Sequence, residues 1–140
     1  MADVILFPDA ERVLIVHLNS LLTEPVSLTV PNPRPAAFIV VRRVGGPRRD
    51  LVTDHPMLTV EAWAGGPTAA KALLERARGE IFAMRGTVVD GVAIYGITET
   101  GGPAFLPDPD STQPRYTCTL QVAMRGAASH STPDDGGGSS

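Results

Sequence analysis

The sequence predicts an α+β fold in a single domain: two helices packed on one face of a mostly antiparallel mixed β-sheet, with protruding loops. Three observations predict it. Residues 57–64, MLTVEAWA, place Leu58, Val60, Ala62 and Ala64 on one face and Thr59, Glu61 and Trp63 on the other, the period-two pattern of a half-covered strand. After Gly65, Gly66 and Pro67, residues 69–85 carry Ala70, Leu73, Leu74, Ala77, Ile81 and Met84 at helical spacing. Residues 115–125, RYTCTLQVAMR, alternate again, with Tyr116, Cys118, Leu120, Val122 and Met124 facing one way.

In chain order, Asp9 is placed to cap a first helix whose stripe is Val13, Leu14, His17, Leu18, Leu21 and Leu22. Residues 23–25, TEP, end it, because the residue before a proline disfavours helix. A short strand is expected at 26–30, followed by PNPRP at 31–35 as a stiff connector crossing a sheet edge. Residues 37–44, AFIVVRRV, are β-branched and aromatic enough for a central strand, running into a hairpin-type loop, GGPRRD. Pro67 suits a first helical turn, and Thr68 is the expected cap of the second helix. Gly86 and the Asp90–Gly91 turn lead into a strand at 92–100. Residues 101–114 are expected to form a long loop rich in proline and aspartate. The triplet GGP occurs at 45–47, 65–67 and 101–103, but its flanks differ; each instance is expected to end a strand. The domain is expected to span residues 1–126, with a small, polar, disordered tail over 127–140.

Length allows one domain with a real core. A formal charge of −3 argues against a dedicated nucleic-acid or membrane-surface binder. Eleven of the twelve basic residues are arginine, which fits a GC-rich coding bias better than a functional patch. The single Cys118 excludes an intrachain disulfide framework and a multi-cysteine zinc site. The first residues lack the pattern of a signal peptide, and no run approaches the ~20 apolar residues of a membrane span. A reducing cytosol, or an assembly built there, is the expected setting.

The residue chemistry predicts no catalytic, cofactor-binding or metal site. His17 lies on a helix stripe with no second ligand one turn away, and His55 has only Asp54 beside it. Cys118 sits mid-strand among apolar neighbours, where a thiol is inert. Phosphate-cradling and nucleophile-elbow motifs are missing, and Glu61 and Asp90 are lone carboxylates. Single replacement of His17, His55 or Cys118 is expected to impair folding or assembly at most. The residues singled out instead suit contacts with partners. Arg48, Arg49 and Asp50 ride on a loop that is either an ordinary solvated hairpin or a contact to a neighbouring subunit or a nucleic-acid backbone. Phe105, Leu106 and Asp108 lie in the 101–114 loop, which either docks on a partner or folds back over its own core, and Arg115 follows it. Trp63, the one tryptophan, is expected on the face away from the helices, where exposure would mark a protein interface.

FIVVRRVGG with its basic turn, VTDHPMLTVEAWA, the A-x-x-L-L-E-R-A-R helix at 70–78, the late GGP-x-x-x-PDP segment and the closing RYTCTLQVAMRG together resemble the tail-terminator proteins of long-tailed, siphophage-type bacteriophages, closest to those of actinobacterial phages. The resemblance runs over residues 3–126 and rests on the order and spacing of the motifs. It implies a non-enzymatic virion protein at the head–tail junction, made in the host cytoplasm. Six copies would form a ring on the tail tube, stop tube polymerisation and present the head-joining surface. The implied partners are further copies of the chain, the major tail tube protein, a head-completion or stopper protein, and DNA passing through the lumen without sequence-specific contact. The alternatives are another connector component, such as the stopper itself, or a small ligand-binding α+β module. A twofold dimer in place of a ring would mark the last.

Overall fold

A computed structural model describes residues 4–6, 9–45, 53–107, 109–125 and 127–129. The elements run β1 (Val4–Leu6), α1 (Ala10–Asn19), β2 (Val26–Ser27), β3 (Phe38–Gly45), β4 (Thr53–Asp54), β5 (Met57–Trp63), α2 (Pro67–Phe82), β6 (Thr87–Val89), β7 (Val92–Phe105), β8 (Arg115–Arg125) and β9 (Ala127–Ser129). The main sheet has the order β2-β3-β5-β8-β7-β6, with β4 also paired to β8. All its pairings are antiparallel except β2 with β3. Both helices cover one face, so the α+β architecture with two helices on a mostly antiparallel mixed sheet is the fold of this chain.

Alternation explains the core. Ile39 and Val41 of β3, Leu58, Val60 and Ala62 of β5, and Cys118, Leu120, Val122 and Met124 of β8 all turn toward the helices. There they meet Val13, Leu14 and Leu18 of α1 and Leu73, Leu74, Ala77 and Ile81 of α2, with Met84 just beyond. Burying this set removes apolar surface from water at about 25 cal/mol per Å², and it is what fixes the helices to the sheet. At the start of α1 the Asp9 carboxylate accepts from the Arg12 backbone N–H at 3.1 Å. Asn19 closes the step to β2: its amide donates to the Val26 carbonyl at 2.9 Å and accepts from the Val26 N–H at 3.1 Å.

Several boundaries differ from expectation. Strand β2 stops at Ser27, whose hydroxyl donates to the Thr29 carbonyl at 2.7 Å and bends the chain out of the ladder. Val26 lies in the helix-side core while Val30 packs against the opposite face. The chain therefore crosses the edge before the 31–35 connector is reached. The cap of α2 is Gly66, and Thr68 lies inside the helix. Proline has a fixed φ and no N–H to lose at the first helical position, so the helix starts at Pro67 and the cap falls one residue earlier. Strand β6 pairs with β7 through a turn in which Asp90 (φ 52°) and Gly91 (φ 77°) are both left-handed, the conformation a two-residue hairpin turn requires.

The largest correction concerns residues 101–105, which extend β7 and are no loop. Gly101 pairs with Thr119, Ala104 with Thr117 and Phe105 with Tyr116. The register shifts between Gly101 and Ala104, so Gly102 and Pro103 bulge from the ladder and the missing proline N–H costs no hydrogen bond. Accordingly the third GGP does not end its strand. Residues 127–129, expected in the tail, pair antiparallel with residues 4–6 in a separate two-stranded ribbon. The rest of the expected tail, residues 130–140, lies outside the described residues. No helix among the described residues is long and apolar enough to cross a membrane.

Candidate interaction surfaces

The sheet face away from the helices begins with an aromatic pair. Phe38 and Trp63 are cross-strand partners in β3 and β5, and their rings stack at 4.8 Å with 15° between planes, an arrangement that adds to area burial. Arg115 lies 5.5 Å from the Trp63 ring centroid and Arg34 5.7 Å from that of Phe38. Val40 completes the cluster, and Val30 packs on it. Trp63 is thus 1 % exposed. It does occupy the face away from the helices, but it is a buried anchor and offers no surface to a partner, because the neighbouring strand and the chain crossing the edge cover it.

Beside it, Glu61 is held between two arginines, accepting from Arg42 at 2.8 Å and pairing with Arg115 at 3.8 Å. Arg115 also donates to the carbonyls of Leu106 and Pro107 at 3.1 and 3.2 Å. This one side chain therefore braces Trp63, Glu61 and the start of the β7–β8 loop, so its guanidinium is engaged within the chain. Gln113 fastens the far side of that loop, donating to the Ala36 carbonyl at 2.7 Å, and Arg34 donates to Gln113 at 3.3 Å. The loop is folded back over the 31–37 segment, yet Phe105 and Leu106 remain 48 % and 46 % exposed. Phe105 rests on Tyr116 at 5.4 Å. Asp108, Arg48, Arg49 and Asp50 lie outside the described residues.

The two ends of the sheet differ. At one, β2 has no strand on its outer side among the described residues, and a groove of about 390 Å³ runs between it and α1. Ile15, Val16, Val26 and Leu28 supply its apolar lining, Asp9, Arg12 and Ser27 its polar rim. At the other, β6 covers β7 only from Val92 to Ile94. Beyond Ile94 the outer edge of β7 pairs with no strand among the described residues.

The histidines, the cysteine and the buried carboxylate make structural contacts. Asp54 is 1 % exposed and takes a bidentate grip from Arg43, at 2.8 and 2.9 Å; Arg43 Nε also donates to the Gly45 carbonyl at 3.1 Å. The Asp54 carboxylate thus faces Arg43, and His55 receives a bond at its backbone carbonyl from Gln121. His17 Nε2 lies 2.9 Å from the Glu80 carbonyl, joining α1 to α2. Burial pushes the Cys118 thiol up to about 12, so it stays protonated at neutral pH. On α2, Arg78 grips Glu99 of β7 at 2.6 and 2.7 Å and Glu75 at 2.6 Å, and these bonds, that to Glu99 first, raise its already high pKa. Among the described residues no three His, Cys, Asp or Glu side chains converge as a metal cluster would.

Comparison with known protein families finds no match, and comparison with curated proteins finds none either.

Proposed function

We propose that this chain is a structural subunit of a long-tailed phage virion, joining copies head to tail into a ring that caps the tail tube, ends its polymerisation and offers the head-joining surface. The observation that carries the reading is the pair of unlike sheet ends, neither covered by a further strand among the described residues: a groove beside β2 on one side, and on the other a long β7 edge that β6 covers only from Val92 to Ile94. A ring is a heterologous assembly, and each subunit must bring two different, complementary patches. A twofold dimer needs only one. The order and spacing of the motifs that resemble tail terminators support the same reading. The formal charge of −3 suits a lumen through which DNA slides, since a strongly basic channel would hold it.

The test is a tube-growth assay. Purified chain added to the polymerising tail tube protein of the same phage should arrest elongation and appear as a cap at one tube end in electron micrographs. Tubes that elongate unchanged, with the chain unbound, would contradict the reading.

A further inference from the structure

The two sides of the main sheet are closed to different degrees. On the β2 side, side chains take outward main-chain groups: Asn19 bonds both the N–H and the carbonyl of Val26, and Glu11 accepts from the Arg43 N–H at 2.8 Å. On the β7 side one regular stretch stays open. Register shifts set Tyr95 and Thr100 out of the ladder, and between them Gly96, Ile97, Thr98 and Glu99 pair in step with Ala123, Val122, Gln121 and Leu120. Val122 donates its N–H to the Pro56 carbonyl at 3.0 Å, away from β7. Its partner Ile97 therefore turns its own N–H and carbonyl outward, and Glu99, two residues on, does the same. No strand lies beyond them among the described residues.

A second pair of strands lacks a neighbour among the described residues. β1 and β9 form a two-stranded ribbon separate from the main sheet, and two strands gain independent stability only with a third strand or a packing surface. β1 reads Val4-Ile5-Leu6, a composition suited to a strand within a sheet. The ribbon is badly placed to serve its own β7. β9 begins two residues after Arg125, whose row already holds Ala93 of β7 and Val88 of β6. The outer side of Thr98 lies two strand steps sideways from Arg125, about 10 Å, and four residues back along β8. The link from Arg125 to Ala127 spans at most about 7 Å and cannot carry the start of β9 round β6. A donor strand and an acceptor edge that do not meet within one chain are two unlike patches, and each finds its counterpart on another copy.

We propose that β1 of one copy, still paired to its own β9, adds to the outer edge of β7 in the next copy along Gly96–Glu99. The inference rests on the head-to-tail assembly proposed above, and it names what meets the β7 side. Engineered cysteines and a short bis-maleimide test it, because Cys118 is buried and its thiol stays protonated. Full-length Val4→Cys and Ile5→Cys chains, which together cover both pleat faces of β1, are each mixed with Thr98→Cys. At least one mixture should give several-fold more linked heterodimer than the same chain mixed with Leu28→Cys. Leu28 is 48 % exposed beside β2, at the opposite end of the sheet. Linkage at the control level from both positions would overturn the contact, whether or not rings form. Carrying the productive pair on one chain separates this contact from the ring. A ladder of linked copies supports both. A product that stops at a doubly linked dimer keeps the contact and overturns the ring, and linkage confined within single chains overturns the contact.

Discussion

Removing the Arg43 guanidinium leaves the Asp54 carboxylate buried without its bidentate partner. An uncompensated buried charge is the costly case, so Arg43→Ala is expected to lower stability by about 3 kcal/mol, read as a shift in the urea midpoint at unchanged slope. The paired change Arg43→Met/Asp54→Leu should recover most of that loss, since an apolar pair of similar volume replaces a buried ion pair at little cost. Cys118 makes a second residue-level prediction. With its thiol pushed up to about 12 by burial, it should ignore iodoacetamide at pH 8 in the folded chain and react once the chain is unfolded in guanidinium. Rapid alkylation of the native protein would contradict its placement. Period two put Cys118 on the buried face and Trp63 on the other from sequence alone. The burial of Trp63 was not legible, because its cover comes from Phe38, Val30 and Arg115, far away in sequence and brought together only by strand order.

At the scale of elements, α2 is tied to the α1–β2 turn by Arg76, which donates to Glu24 at 2.8 Å. That hydrogen bond is the main reason the Glu24 carboxyl titrates below its ordinary 4.5. A carboxyl depressed in the folded state contributes stability that is present above the unfolded value and lost as pH falls through the folded one. Between pH 4.5 and the lowered value the wild-type chain should therefore lose stability faster than Glu24→Gln, measured by urea titration at successive pH values. Identical slopes would place the pair outside the energetics of folding, as surface pairs often are. The elements most legible in the sequence were α2 and β8, where an unbroken apolar period runs for several turns or pleats. The stretch 101–105 was least legible. Gly101, Gly102 and Pro103 carry the composition of a loop, and only the ladder with β8 shows that Gly101 pairs with Thr119 while Gly102 and Pro103 bulge out of it, where neither residue type weakens the strand. Residues 127–129 were hidden for a similar reason: their pairing depends on β1, which lies beside them only in the folded chain.

For the whole molecule, helices cover one sheet face, an aromatic anchor and its arginine braces organise part of the other, and the two ends of the sheet differ. The helix-covered face could be read from the sequence, because each strand's apolar set points one way. The two unlike ends could not, because strand order is a property of the assembled sheet: nothing in residues 26–28 or 96–105 says that, among the described residues, no strand lies beyond them. The candidate residues divide along the same line. Phe105 and Leu106 are exposed at one end of the sheet, while Trp63 and Arg115 are engaged inside the chain. The central claim, head-to-tail assembly into a tube-capping ring, is tested most directly by the mass of the full-length chain in solution across concentration, alone and with tail tubes, together with electron micrographs of each sample. The account predicts closed rings of more than two copies, formed by the chain alone at high concentration or on the tube ends. A closed twofold dimer in every sample, or a monomer that leaves the tube ends bare, would contradict it.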